Sequence, residues 1–180
     1  MLAESQIIER CKISDPVAQK LLYTKYKGLF YAICIRYLTD PMEAEDALVE
    51  AFYKIFTKIN GYSGGGSFEG WMKRILVNEC LMKIRKSNNF RLHVDIENAY
   101  DLGNEADVIS KLSFDELISL MNELPKGYKT VFNLYVLEGY KHREIAKLLD
   151  ISINTSKSQL ILAKKRMQEL IKKKHDLKIS

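Results

Sequence analysis

Residues 140–166 read YKHREIAKLLDISINTSKSQLILAKKR, and this stretch decides the fold of the C-terminal part of the chain. The apolar spacing predicts a short helix over 141–149, a tight turn over 150–152 and a longer helix after it. Ala146 is small enough for two helices to cross closely, and Ile151 gives the turn an apolar plug. This arrangement favours a DNA-binding helix-turn-helix over a small helical bundle with a solvated lysine face. The longer helix has an apolar face, comprising Ile153, Ser156, Leu160, Ala163, Met167 and Leu170, and a polar face, comprising Asn154, Lys157, Ser158, Ile161, Lys164 and Lys165.

The rest of the chain is also helical in pattern. Helices are predicted over 18–37, over a stretch around Ala44–Phe56 with apolar residues at spacings of three and one, and from about Ser67 onward. A further helix begins after Leu124-Pro125 and stops at Glu138-Gly139. No segment alternates as a strand would, so the predicted fold class is all-α. Residues 60–67, NGYSGGGS, form a glycine-rich loop whose Ser67 can cap the following helix.

The charge of the chain is unevenly distributed. The 180 residues carry a formal net charge of +5, with 13 basic and 10 acidic residues in 1–86, 1 and 5 in 87–110, and 14 and 8 in 111–180. Two small basic domains, 1–86 and 111–180, are therefore predicted on either side of an acidic linker, 87–110. Basic domains point to an anionic partner.

Several classes of protein are disfavoured by the composition. Cys11, Cys34 and Cys80 have no zinc-ligand spacing, so buried reduced thiols are expected and no metal or cofactor is predicted. The longest uncharged apolar run has 8 residues, Gly28 to Ile35, too short for membrane insertion, and a cytoplasmic protein is expected. The residue pattern contains no nucleophile–base or carboxylate–metal constellation, so no catalytic residue, enzyme activity or small-molecule substrate is predicted.

Three stretches together resemble the extracytoplasmic-function (ECF) sigma factors of the bacterial sigma-70 family. The helix-turn-helix of 140–166 is similar to their region 4. Residues 44–52, AEDALVEAF, resemble a helix of region 2, and residues 68–78, FEGWMKRILVN, followed by Ile84-Arg85-Lys86, resemble its promoter-binding helix. These motifs occur in the family's order around a linker of suitable size. The resemblance covers nearly the whole chain and implies a promoter-specificity subunit that binds core RNA polymerase and promoter DNA.

For the first domain, the resemblance implies a polymerase-binding face at Asp46, Glu50 and Tyr53. Two carboxylates four residues apart on a helix repel each other and favour a basic partner. Val49 stands where the family commonly has glutamine. The loop is expected to take a base flipped from the non-template strand of the minus-ten element, while Trp71 is expected to be a core residue. The predicted minus-ten residues are Asn60, Tyr62, Ser63, Lys73, Arg74, Asn78, Arg85 and Lys86.

For the second domain, the resemblance implies that the longer helix of the helix-turn-helix reads the minus-thirty-five element. This chain has Ser156, Gln159 and Leu162 where the family often has valine, arginine and arginine. A lost guanine-binding arginine removes about 1–3 kcal/mol of discrimination, and Gln159 could favour adenine instead. The predicted minus-thirty-five residues are Asn154, Thr155, Lys157, Ser158, Gln159, Ile161 and Lys165.

The family also implies a role for the linker and a regulatory partner. Asp95, Glu97 and Asp101 are hypothesised to mimic RNA phosphates in the polymerase's RNA channel. A cognate anti-sigma factor is expected to restrain the protein. Two other functions are less favoured by the sequence, a stand-alone operator-binding regulator and a DNA-processing enzyme.

Overall fold

Helices and their connecting turns make up the described part of this computed structural model, which covers residues 3–86 and 113–179. No strand occurs within those two ranges, so the all-α prediction is confirmed there. The chain divides into two compact units, Met1–Ser87 and Asn88–Ser180. The predicted linker, 87–110, lies outside the described residues, and so do Asp95, Glu97 and Asp101.

The described residues of unit 1 form four α-helices and one 3-10 turn. The helices predicted over 18–37 and from about Ser67 are present with ends shifted by one or two residues. The short first helix is not evident from the sequence, because it buries only three apolar side chains. The elements are α1 Glu4–Lys12, α2 Pro16–Leu38, α3 Pro41–Lys58, the 3-10 turn Ile59–Gly61 and α4 Phe68–Lys86.

Aspartate followed by proline begins both α2 and α3. Asp15 Oδ1 accepts hydrogen bonds from the backbone N–H groups of Val17, at 2.8 Å, and Ala18, at 3.3 Å. Asp40 caps α3 in the same way. The following prolines stand at the first helical position, where the missing N–H removes no helical hydrogen bond. These caps fix where each helix starts and hence the register of its buried face.

The core of unit 1 lies among α2, α3 and α4, which pack against one another. The ring centroids of Phe30 and Phe52 lie 5.7 Å apart, and both side chains are buried. All three cysteines are buried and free, as predicted. The thiols of Cys34 and Cys80 approach to 3.8 Å between α2 and α4. Close packing of this kind holds α3 and α4 in the fixed geometry that their exposed faces require.

A nearly buried ion pair joins α3 to α4. Lys54 Nζ donates to both carboxylate oxygens of Glu79, at 2.7 and 2.8 Å. The side chain of Glu79 is 10% exposed and that of Lys54 is 30% exposed. Removing Lys54 would therefore leave a desolvated carboxylate without its ammonium partner.

We expect Lys54→Met to lower the free energy of unfolding by about 2 kcal/mol, less than the value for a fully buried pair because Lys54 retains access to water. Replacing both partners, as in Lys54→Met with Glu79→Leu, should recover most of that loss, since no charge remains buried. Urea denaturation followed by circular dichroism measures both changes. Equal stability of the single variant and the wild type would show that the pair does not stabilise the unit.

The described residues of unit 2 form four α-helices, three short ones and one long one, and a π-helical turn. The long C-terminal helix packs against the three shorter ones. The core of unit 2 is formed by fully buried side chains, namely Phe132, Leu134, Ile145 and Met167. The first helix among the described residues of this unit begins at Phe114 and is capped by Ser113, whose hydroxyl accepts from Glu116 N at 3.3 Å in a capping box. The elements are α5 Phe114–Asn122, α6 Lys126–Phe132, a π-helical turn Asn133–Leu137, α7 His142–Leu149 and α8 Ile153–Ile179.

Candidate functional site

An acidic face with apolar edges runs along the outside of α3. The side chain of Asp46 is 74% exposed, and Tyr53 is 65% exposed. Glu50 is exposed on the same face, opposite the buried Ala47 and Phe52. The orientation expected from the sequence is therefore present, while polymerase binding stays a prediction. We define the acidic face as Met42, Asp46, Val49, Glu50 and Tyr53.

Two details of the acidic face are not apparent from the sequence. Met42 is 78% exposed and lies one turn before Asp46, which extends the face towards the start of α3. Lys83 Nζ, on α4, lies 3.4 Å from Asp46 Oδ2. An ion pair this exposed contributes little to stability, so a basic group on a partner can replace Lys83 at small cost.

The glycine-rich loop leads into α4 with the geometry its sequence predicts. Gly64 has φ 77°, a conformation that residues with a Cβ rarely adopt. Ser67 Oγ accepts from Gly70 N at 3.3 Å, which confirms the predicted cap. The hydroxyl of Tyr62 donates to Gly66 O and ties the loop across itself. The Ser67 cap thus fixes the end of the loop to the first turn of α4, and the Tyr62 hydrogen bond closes the loop on itself.

Aromatic rings gather where the loop meets α4. The ring centroid of Tyr62 lies 5.0 Å from that of Phe68 and 5.6 Å from that of Trp71, and Phe68 and Trp71 are stacked at 5.6 Å. Phe68 is buried, whereas Tyr62 and Trp71 are half-buried. Trp71 thus packs within this cluster but is only half-buried, so the expectation of a core residue is met in part.

A cavity of about 470 Å³ lies between the loop and α1. This volume falls in the range of roughly 300–1,000 Å³ typical of ligand sites. Glu4, Ser5, Ile8, Glu9 and Lys12 line it from α1. From the loop side it is lined by Tyr62, Ser63, Gly64, Gly66, Ser67 and Phe68. Sequence reasoning places Tyr62 and Ser63 here but misses the whole contribution of α1.

The predicted minus-ten residues of α4 form an extended surface. Arg74 and Asn78 are exposed one turn apart, and Arg85 and Lys86 are exposed at the end of the helix. Lys73 instead pairs with Glu69 at 2.8 Å. Residues 73 and 86 are separated by about 20 Å along the helix axis. Asn60, predicted as the first residue of the loop, instead lies in the 3-10 turn Ile59–Gly61, where it is exposed.

The helix-turn-helix predicted for the second domain is present. Gly139, with φ 76°, separates the π-helical turn from α7, and Asp150, with φ 55°, ends α7 in the left-handed conformation. Ser152 Oγ accepts from Thr155 N at 2.9 Å and caps α8. Ala146 is buried as expected, and Ile151 N donates to Ala146 O at 3.0 Å across the turn.

Most of the predicted minus-thirty-five residues lie on the accessible side of α8. Asn154, Lys157 and Lys165 are exposed, and Thr155, Ser158 and Ile161 are half-buried. These six residues follow one another over about three turns, starting at the helix N-terminus, which is the end that usually reaches base edges in this motif.

Two residues of α8 lie opposite to the prediction. Gln159 is 1% exposed, so its assignment to the DNA face, and with it the contact to adenine, is wrong. The reason is its spacing, because Gln159 follows the buried Ser156 by three positions and precedes the buried Ala163 by four. Ile153, predicted to face inward, is 43% exposed because it is the first residue of the helix.

His142 connects the two helices of the helix-turn-helix, a role that the sequence gives no signal for. Its Nδ1 lies 2.9 Å from Ser156 Oγ on α8, and its ring stacks on Tyr135 at 4.5 Å. Burial, followed by the nearby ammonium groups of Lys157 and Lys164, lowers the pKa of His142. The neutral imidazole is therefore favoured in the free protein at pH 7.

Neither a metal site nor a membrane span is present among the described residues. Within 3–86 and 113–179, no three His, Cys, Asp or Glu side chains gather as a metal site requires. In the same ranges no helix has the length and apolar character needed to cross a bilayer.

Both units match models of one protein family. Residues 22–90 match sigma-70 region 2, and residues 114–167 match sigma-70 region 4. The chain is 26% identical to the ECF RNA polymerase sigma-E factor of Haemophilus influenzae, over 94% of this chain and 96% of that protein. It is 27% identical to the ECF sigma factor SigW of Bacillus subtilis, over 85% and 88% of the two chains. The chain belongs to the ECF sigma factors of the sigma-70 family.

Two solved structures share the fold. The sigma factor RpoE of Bartonella quintana, crystallised with the anti-sigma factor NepR, aligns with a TM-score of 0.54 and 22% identity, over 85% of this chain and 96% of that one. CnrH in complex with the cytosolic domain of CnrY aligns with a TM-score of 0.52 and 17% identity, over 92% and 95%. These likenesses support the helical architecture of this sigma factor.

Proposed function

We propose that this protein binds core RNA polymerase, directs it to specific promoters and helps to melt the minus-ten region. The observation that carries the proposal is the presence, in one chain, of an exposed acidic face on α3 and a capped helix-turn-helix in a separate unit. A promoter-specificity subunit needs one surface for the polymerase and others for DNA. In this role the polymerase supplies the catalysis, and the protein acts in the cytoplasm.

Unit 1 engages the polymerase and the minus-ten element. The acidic face on α3 docks on a basic helical surface of the polymerase, with Tyr53 and Met42 adding apolar area at its edges. The phosphates of unpaired DNA are held by Arg74, Arg85 and Lys86. These side chains are spread over about 20 Å of α4, which is long enough to contact several phosphates. The aromatic rings and the cavity beside the glycine-rich loop receive an unstacked base.

Unit 2 reads the minus-thirty-five element with the N-terminal half of α8. Asn154, Lys157 and Ser158 present polar groups there, and Lys165 lies further along for a phosphate contact. Residues at 156 and 159 are buried and are therefore removed from direct base contact. Because no arginine lies between Ile153 and Lys165, guanine can be contacted there only by lysine, without the planar fork of a guanidinium group.

We therefore expect the preferred upstream element to depend less on guanine than the guanine-rich elements usual in the family. Selection from a library randomised over the upstream element, with transcription by the reconstituted holoenzyme as the readout, measures this directly. Replacing a guanine in the selected element should reduce transcription by less than the roughly 5- to 150-fold that corresponds to an arginine–guanine pair. Recovery of a strictly guanine-rich element would contradict this assignment.

An anti-sigma factor is the expected regulator, by analogy with RpoE of Bartonella quintana, whose structure includes NepR. In this chain such a partner would cover the exposed faces of α3 or α8 and prevent polymerase or DNA binding.

The acidic linker, with Asp95, Glu97 and Asp101, is proposed to occupy the polymerase's RNA channel. Neutralising these residues would then alter promoter escape while leaving promoter binding intact.

Gel filtration of the full chain with core RNA polymerase tests the proposed function. Co-elution as a stable complex is the expected result. A stand-alone operator-binding regulator would instead bind its duplex site tightly without polymerase and would elute separately from it.

A further inference from the structure

We propose that Glu9 and Lys12 of α1 form the base-selecting wall of the cavity beside the glycine-rich loop, favouring an extruded base with an exocyclic amine over thymine. This inference rests on the proposed function, in which the loop receives a base flipped out of the promoter. It adds the element that reads the base, α1, and the chemical class of base that the site accepts.

The position of α1 places its polar side chains beside the cavity. The cavity of about 470 Å³ has the loop on one side and α1 on the other. Tyr62 and Phe68 line the loop side, where an aromatic ring can stack on a base. Such stacking tolerates every base, so discrimination requires polar groups at the edge of the site. On the α1 side those groups are the Ser5 hydroxyl, the Glu4 and Glu9 carboxylates and the Lys12 ammonium.

Glu9 is the carboxylate best placed to read a base, because Glu4 holds α1 on α2. Glu4 Oε1 accepts from Lys25 Nζ at 2.7 Å and from Tyr26 Oη at 2.8 Å. The hydrogen bonds from Lys25 and Tyr26 lower the pKa of Glu4 and keep it charged in this structural role.

The pair of Glu9 and Lys12 is open to an incoming ligand. Glu9 Oε1 accepts from Lys12 Nζ at 2.8 Å, and its side chain is 69% exposed. An exposed ion pair one turn apart on a helix is weak, so the two groups can turn towards a base at little cost.

A carboxylate beside an ammonium group distinguishes bases by their edges. A carboxylate oxygen accepts from an exocyclic amine, as glutamate does from N4 of cytosine, while the ammonium donates to a neighbouring acceptor. Thymine has no amine, and its single N3–H lies between two carbonyl oxygens whose lone pairs repel a carboxylate. Bases with an amine are therefore favoured over thymine, which is the poorest match.

Binding of single-stranded DNA by the full chain tests this assignment without polymerase. Fluorescence anisotropy is measured with oligonucleotides of a non-template strand that carry each of the four bases at each position in turn. At one position thymine should bind about tenfold more weakly than cytosine. Glu9→Gln should reduce this ratio to about twofold or less, because an amide can donate as well as accept.

The matched control is Glu169→Gln in unit 2. Glu169 forms the same type of exposed pair, since its Oε2 lies 2.8 Å from Nη1 of Arg166, three residues earlier. It lies on α8, however, and is distant in sequence from all the residues that line the cavity. This variant should retain the full preference against thymine. A preference that Glu9→Gln leaves unchanged, or the absence of any position at which thymine is disfavoured, would overturn the inference.

The two levels of the proposal fail separately. If the full chain does not co-elute with core polymerase but still discriminates against thymine through Glu9, the proposed function falls and the base-selecting wall stands. If it co-elutes with polymerase and binds all four bases equally, the wall is overturned and the proposed function stands.

Discussion

Replacing Asp46 and Glu50 together by lysine should weaken binding to core RNA polymerase by about 100-fold or more. Charge reversal turns an attraction into a like-charge contact, and such contacts cost several kcal/mol at an interface. The variant also places the new ammonium group at position 46 near Lys83, whose Nζ lies 3.4 Å from Asp46 Oδ2 in the wild type. Unit 1 should still fold, because the side chain of Asp46 is 74% exposed and Glu50 is also exposed.

Binding by biolayer interferometry and the thermal midpoint of unfolding, measured on the same preparation, separate lost docking from lost structure. The matched control is Glu123→Lys with Glu169→Lys, which makes the same change in net charge on exposed residues of unit 2. This control should keep its affinity for polymerase. If the variant with both lysines binds polymerase with wild-type affinity, the acidic face is not part of the polymerase interface.

Replacing Asn154 by alanine and Lys157 by glutamate should reduce promoter-dependent transcription by about 100-fold. Two polar contacts at the N-terminal half of α8 are lost, each worth roughly 1–3 kcal/mol, and a carboxylate is placed against the DNA backbone. Both residues are exposed, so the core of unit 2 is not disturbed. Binding to core polymerase through the acidic face should remain intact in this variant.

Run-off transcription from a promoter selected by the wild type measures the effect. Lys172→Glu is the control, since Lys172 is an exposed lysine of the same helix about 22 Å further along its axis. Transcription by this control should stay within a few-fold of wild type. Full activity of the Asn154 and Lys157 variant would show that another surface reads the upstream element.

The sequence predicts those parts of the fold that depend on local pattern. The helix cap at Ser67 and the turn of the helix-turn-helix are each predicted from residues next to each other in the chain, and both features are present. The exposed face of α3 also follows from helical spacing alone. Local patterns of this kind are strong because one residue type, such as a serine before an apolar run, satisfies a specific backbone need.

The misassigned and missed residues depend on contacts between helices. The residue pattern places Gln159 on the DNA face, yet its side chain is buried, because the buried stripe of α8 is wider than a simple pattern suggests. His142 meets Ser156 only because α7 and α8 cross. The cavity beside the loop needs α1, a nine-residue helix whose position is set by Glu4 hydrogen bonding to α2. The spacing of residues within one helix does not predict contacts between residues that are far apart in the chain.

The central claim is that this chain gives core RNA polymerase its promoter specificity, and in-vitro transcription on a promoter library tests it most directly. Core polymerase, the purified full chain and a library randomised at both promoter elements are combined, and the transcript starts are sequenced. We predict starts at discrete promoters sharing two elements, which disappear when the chain is omitted or carries Asp46→Lys with Glu50→Lys. The same starts with core polymerase alone, or no specific starts with the chain present, would contradict the account.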